Sequence, residues 1–279
     1  MENRFKQDVL DEANLSDDNT VLIHEEDETG GLKPKWEKIE TILTPKELFE
    51  RCKISFGLKY FRIPITDEQS PKPSAFDAIL DIVAATKITS HIVFNCQMGR
   101  GRTTTGLVVA SATRLRMIGA LKKIAFVVDE KISVQRRFRS KIRSREKFPP
   151  DVTNELRGDF AAIIAQIRLM DEGADAKRAM DALIDVCDAM QNLREAIHEM
   201  KVRSNTVDLA PSVRAQALGV AEHYLRRYAH LIQFTTYLLS ISDLTGKRLK
   251  FAQWLRLRPE LTNAWKAITE GEGKNDLLS

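Results

Sequence analysis

Cysteine is scarce in this chain. Three residues, Cys52, Cys96 and Cys187, are scattered through 279 positions, a spacing that argues against a disulfide framework and for a reducing compartment. No apolar run approaches the roughly 20 residues needed to cross a bilayer. The opening MENRFKQDVLDEANLSDDN has no apolar centre of the kind a secretion signal carries. Internal repeats and low-complexity tracts are missing too. Neither sign of charge dominates: 43 Lys and Arg stand against 39 Asp and Glu, and a net +4 gives no general affinity for nucleic acid. The five histidines show no zinc-site spacing with Cys or carboxylates. No Gly-Lys-Ser/Thr completes a nucleotide loop of the Walker type. The expectation is a cytoplasmic protein.

What is present changes character near Phe148-Pro149-Pro150. Before that point TVLIH (Thr20–His24), LKYFRIPI (Leu58–Ile65) and HIVFNC (His91–Cys96) read as strands. Ser74–Lys87 has helical apolar spacing with Ser74 as N-cap, and TTTGLVVASATRLRM restores a helical period. Strand alternating with helix predicts an α/β core over residues 1–150, with a mostly parallel sheet flanked by helices. The polar HEEDETGGLKPK reads as a loop. After Pro150 the chain predicts an all-helical region, 151–279, packing on or extending the core. Three long amphipathic stretches fill it, broken at Gly173 and at DLAPS around Pro211. The heptad-like MDALIDVCDAMQNLREAIHEM is expected to pack on sibling helices, and Cys52 and Cys187 to serve core packing. The basic run Lys131–Lys147 reads as a solvated connector, with peripheral contact to an anionic membrane as the alternative. With Phe138 as its single aromatic, it makes only a thin case for single-stranded nucleic acid.

The most specific stretch is HIVFNCQMGRGRTTTGLVVA (His91–Ala110). Cys96 ends a strand-like run, Gly99 and Gly101 permit tight turns, and Arg102 and Thr103 open a helix. Backbone N–H groups curling inward, with a helix N-terminus behind them, make a cradle for an anion. Arg102 supplies a planar fork for two phosphate oxygens. The same field lowers the pKa of a thiol, so Cys96 is placed to attack phosphorus, and Thr103 to donate a hydrogen bond to the sulfur as it leaves. The competing reading is a structural cysteine beside a Gly-rich turn.

NCQMGRGRT resembles the signature loop of the cysteine-dependent protein tyrosine phosphatase superfamily, and within it most closely the paladin family. The likeness extends to YFRIPITDEQSPKP before the loop and to CDAMQNLREAI, YLRRYAHLIQFTTYL and FAQWLRLRPEL after it. Paladins resemble the inositol-phosphate and phytase-like phosphatases, and they usually carry more than one such unit, so the chain is expected to be one unit or a portion of a longer protein. The resemblance implies a dual-specificity type of fold. It makes Cys96 the nucleophile and Arg102 the phosphate-binding arginine, with Gln97, Met98, Gly99, Arg100, Gly101 and Thr103 completing the phosphate loop. Asn95 stands where the superfamily usually has a loop-bracing histidine.

Cleaving a phosphomonoester needs an acid for the leaving alkoxide. The resemblance places that acid one strand and one helix upstream, where Asp67 lies in the Pro-flanked PITDEQSP, with Glu68 as the alternative acid. An ordinary turn aspartate is the competing reading. Asp77 and Asp81 read as solvent-facing residues of the following helix. Arg100, with Arg62 and Lys72 as weaker candidates, suggests a basic rim suited to several phosphates. The implied activity is hydrolysis through a phosphocysteine, without metal or cofactor, on inositol phosphates or phosphoinositides, with phosphotyrosine next. A catalytically weak pseudophosphatase that binds phosphate as a scaffold is the alternative.

Overall fold

The computed structural model describes residues 2–27, 31–124, 154–189, 191–244 and 247–270. The chain forms two units, Met1–Arg62 and Ile63–Ser279. The expected boundary between 150 and 151 lies outside the described residues, as does the basic run Lys131–Lys147.

The first unit holds helix α1 (Glu2–Asn14), strands β1 (Thr20–Glu26) and β2 (Leu32–Lys38), and helix α2 (Pro45–Phe56). Thr44 caps α2 by accepting from the Glu47 backbone, while Glu47 answers back to the Thr44 N–H at 2.7 Å, satisfying two donors that a helix start leaves open. Lys6 of α1 reaches the same Glu47 at 2.9 Å. The antiparallel β1–β2 pair runs into the polar stretch expected to be a loop, with Glu25 opposite Lys33 and Leu22 opposite Trp36. No apolar alternation announces β2. Cross-strand charges such as Lys35 near Glu25, at 3.7 Å, stand in for it.

The second unit carries α3 (Pro73–Ala84), α4 (Gly101–Met117), α5 (Ala161–Ile167), α6 (Gly173–Val186), α7 (Leu193–Asn205), α8 (Pro211–Ser240), α9 (Phe251–Arg256) and α10 (Pro259–Glu270). Helix α3 starts two residues earlier than the expected Ser74 cap implies. Lys72 is its N-cap and Pro73 its first residue, because proline's fixed φ and missing N–H suit that position. The stretch expected as one helix from Ala176 onward is two, α6 and α7. The chain leaves α6 at Cys187, and the Asn192 side chain caps α7 by accepting from the Arg194 N–H at 3.0 Å.

The 30-residue α8 is the axis of this unit. It packs against α7, α6 and α4. Its Leu225, Phe234, Tyr237 and Leu238 are fully buried with Phe76 and Leu80 of α3 and Val109 of α4. Each such side chain contributes about 1.5–3 kcal/mol. Phe76, Phe234 and Phe251 meet with ring centroids 5.3–5.4 Å apart. The helices on either side of Pro150 therefore share one core.

Among the described residues β1–β2 is the only strand pairing. The chain is α/β and mostly helical, and a mostly parallel sheet is not seen. Leu58–Ile65 and His91–Cys96 carry no assigned strand. The second does alternate as a strand would: Ile92 and Phe94 pack against the core while Val93 is 87% exposed. A covered face without a ladder neighbour leaves an extended segment rather than a sheet member.

Asp77 also departs from expectation. Only 7% exposed, it accepts the Phe251 and Ala252 backbone N–H groups at 2.8 and 3.0 Å, closing the start of α9. Asp81 is exposed as expected, and pairs with Arg248 and Lys250. Asp77→Ala leaves two helix-start donors without their acceptor and is expected to destabilise the protein by about 1–2 kcal/mol in a thermal melt. An unchanged melting temperature would contradict that role.

Candidate functional site

The approach to the cysteine is set by contact with α4. A Cβ on Gly106 would sit 2.6 Å from the Phe94 ring, so only glycine lets the helix lie this close to the segment that delivers Cys96. Gly99 takes φ +68°, a left-handed turn that a side chain would oppose. From there the chain enters α4, where Thr104 N–H donates to the Arg100 carbonyl at 2.9 Å and the Thr105 hydroxyl to the Gly101 carbonyl at 2.7 Å.

Half-buried at the mouth of this loop, Cys96 has an altered acidity. Burial alone would push its thiol up. The Thr103 hydroxyl and the backbone N–H groups of Thr103, Arg100 and Met98 outweigh it and bring the thiol down from 9.0 to about 7. Thr103 Oγ1 is buried without a hydrogen bond of ordinary geometry, so its pull on the sulfur, the largest of the lowering ones, is that of a poorly aligned donor. Gln97, Met98 and Arg100 are exposed at the loop's rim; Gly99, Gly101, Arg102 and Thr103 are half-buried.

Arg102 and Asp67, 35 positions apart in the chain, meet: Nη2 lies 3.0 Å from the Asp67 carboxylate. Asp67 is 61% exposed on its side chain, so the pair adds little to stability. What it does is hold the carboxyl beside Arg102. Asp67 also accepts the Glu68 N–H at 3.1 Å, the turn role foreseen as the competing reading. Glu68 is exposed and adopts φ +54°, an uncommon conformation for a side-chain-bearing residue. Lys72 caps α3, and Arg62 pairs with Glu2 within the first unit.

Three neighbours were not foreseen. Arg227 of α8 is 1% exposed, donates to the Gln69 carbonyl at 2.6 Å and stacks on Tyr224 at 5.0 Å. A Cβ on Gly101 would meet Arg227 Nη1 at 3.1 Å and Gln191 Oε1 at 3.0 Å. His230, one turn further along α8, contacts the Ser70 hydroxyl at 2.8 Å; burial, and secondarily Arg226, brings its pKa down to about 4. The signal for Arg227 lay in its register: with Leu231 and Phe234 at positions four and seven later, it occupies an apolar face.

Among the described residues no group of three or more His, Cys, Asp or Glu converges as metal ligands would. No helix among them is long and apolar enough to cross a membrane.

The PTPlike_phytase family, described as "Inositol hexakisphosphate", matches residues 1–114, a span that includes Asp67 and the whole cysteine loop. Paladin of Danio rerio is 31% identical over 229 residues, covering 78% of this chain and 24% of the relative. The Mus musculus paladin is 27% identical over 232 residues, covering 80% and 25%, and that of Homo sapiens 26% identical over 232 residues, covering 78% and 24%. No solved structure matches. The chain thus spans about a quarter of the length of the curated relatives it matches. Similarity that runs through the cysteine loop and on into the helical half supports assigning this chain to the paladin family.

Proposed function

We propose that the chain is a cysteine-dependent phosphatase that hydrolyses phosphomonoesters, acting in the cytoplasm on inositol phosphates or phosphoinositides and next on phosphotyrosine. The observation that carries this reading is the ring of backbone donors around Cys96, with its thiol near 7, beside an Arg102 that already holds Asp67. In the first step the Cys96 thiolate attacks phosphorus. The S–P bond forms, the P–O bond breaks, and the departing oxygen takes the Asp67 proton. Arg102 and the amides of 97–103 hold the three equatorial oxygens as negative charge concentrates there. In the second step water attacks phosphorus, Asp67 accepts its proton, the S–P bond breaks, and phosphate leaves with the thiolate restored. A bound phosphate, carrying more charge than a carboxylate, draws Arg102 away from Asp67 and leaves that carboxyl to the leaving group.

Support for an inositol phosphate comes from the family description and from the exposed Arg100 at the rim, a second cation for a second phosphate. The lipid form of that ligand implies peripheral contact with an anionic membrane; nothing in the loop favours nucleic acid. The α/β core of 1–150 and the helical region of 151–279 then work as one catalytic unit of a longer protein.

The test is phosphate release from a panel of inositol phosphates, phosphoinositides and phosphotyrosine peptides. Asp67→Asn is expected to lower kcat on an inositol phosphate by about 100- to 10,000-fold. Wild-type turnover on no member of the panel would overturn the enzymatic reading. Asn95 in place of the superfamily's histidine favours a second reading, a pseudophosphatase that binds phosphorylated ligands without turnover. In that case the same panel binds equally well with and without the Cys96 thiol.

A further inference from the structure

Buried arginines ordinarily sit against carboxylates, because an unpaired charge away from water is costly. Arg227 does not follow that rule. It is 1% exposed, Nε has no hydrogen-bond partner, and no carboxylate pairs with it among the described residues. Its electrostatic neighbours are the site itself: Asp67, Arg102 and Cys96. Its one hydrogen bond of ordinary geometry goes to the backbone of the acid loop, Nη2 to Gln69 O at 2.6 Å. Nη1 abuts Gly101, the first residue of α4. The guanidinium therefore touches both halves of the site, the segment carrying Asp67 and the segment carrying Cys96, from a position more than 120 residues downstream of either.

The acid loop needs such an anchor. Residues 58–72 have no helix or strand, and the exposed Asp67 is tied at its side chain to Arg102 and, within the same loop, to the Glu68 N–H. Helix α8 grips the loop twice on one face, through Arg227 to Gln69 and through His230 to Ser70 at 2.8 Å, since residues three apart on a helix lie side by side. Tyr224, one turn before Arg227, lies under the guanidinium at 5.0 Å.

We infer that Arg227 is a positioning residue for this site: it holds the Gln69 carbonyl, and with it the Asp67 carboxyl, against the anion loop of Cys96. The inference rests on the phosphatase reading for its kinetic consequence but not for its structural one. A misplaced general acid matters most when the leaving oxygen is poor, as in an inositol, and least when it is a good leaving group such as p-nitrophenolate.

The experiment compares wild type with Arg227→Lys, which keeps a cation but loses the fork, and with Tyr224→Leu, which removes the supporting ring and leaves the arginine. Kinetics are measured on inositol hexakisphosphate and on p-nitrophenyl phosphate, and hydrogen–deuterium exchange is followed across the chain. For Arg227→Lys, kcat on inositol hexakisphosphate is expected to fall about 10- to 100-fold with KM little changed, and kcat on the aryl ester to stay within about threefold. Tyr224→Leu is expected to shift the same ratio in the same direction by a smaller factor. In both variants, exchange is expected to rise selectively at the amides of 66–70. In the Asp67→Asn background the further effect of Arg227→Lys on inositol hexakisphosphate is expected to vanish, because one route serves both. Equal losses on both esters, or exchange that rises throughout α8 with no selectivity for the loop, would overturn the inference. So would an Arg227→Lys that fails to fold while Tyr224→Leu leaves the ratio and the exchange unchanged. If wild type hydrolyses neither ester, the phosphatase reading fails and the exchange result alone judges the anchor.

Discussion

Cys96→Ser is expected to abolish phosphate release, lowering it by at least about 10,000-fold. The loop's donors lower the thiol to about 7, so a large fraction of Cys96 is thiolate at neutral pH. A serine hydroxyl in the same place stays protonated: its intrinsic acidity is too low for the same ring of N–H groups to ionise it. The amides of Met98, Arg100 and Thr103 do not depend on the sulfur, so inorganic phosphate should bind the serine variant about as well as wild type. Loss of turnover with binding retained is the signature of a removed nucleophile. Residual turnover above about one per cent would instead mean that another group attacks phosphorus.

Arg102→Lys is expected to cost about 1,000-fold in kcat/KM although the charge is kept. Arg102 points one nitrogen at Asp67, 3.0 Å away, while Nε is buried without a partner. A fork with one prong occupied and another unsatisfied is built to take two oxygens of a phosphoryl group side by side. Lysine offers a single ammonium. It cannot bridge two equatorial oxygens, nor orient Asp67 while doing so. Because the Asp67 partner is largely exposed, the stability cost of the substitution should be within about 1 kcal/mol, which a thermal melt separates from the kinetic loss. A loss of less than about tenfold would assign phosphate binding to the backbone amides alone.

The site was legible where it was local. From Cys96 to Thr103 the proposed chemistry lies in eight consecutive residues, and glycine spacing, helix start and cation all follow from that order. Asp67 was singled out through resemblance, and its ion pair with Arg102 brings the two side chains together. Arg227 was not foreseen, because its partner is a backbone carbonyl 158 positions away and no periodicity encodes such a meeting. Its place on an apolar helix face was the available clue. Asp77 misled for a related reason: a carboxylate on α3 reads as solvated until α9 arrives to need a cap. The helices after Pro150 were legible from their apolar stripes. The break between α6 and α7 was not, since it interrupts a stretch that keeps helical composition throughout. HIVFNC has the alternation of a strand, but alternation reports which side chains are covered, not whether a neighbouring strand supplies hydrogen bonds.

The most direct measurement is the pH dependence of Cys96 alkylation by iodoacetamide, followed by mass spectrometry so that Cys52 and Cys187 are counted separately. A lowered thiol pKa means that reactivity rises as pH passes through the folded value. The rate at Cys96 is expected to reach half its maximum near pH 7, and inorganic phosphate is expected to slow it by occupying the same ring of donors. A midpoint near 8.5, the value of an ordinary thiol, with no protection by phosphate, would contradict an anion-holding loop at Cys96.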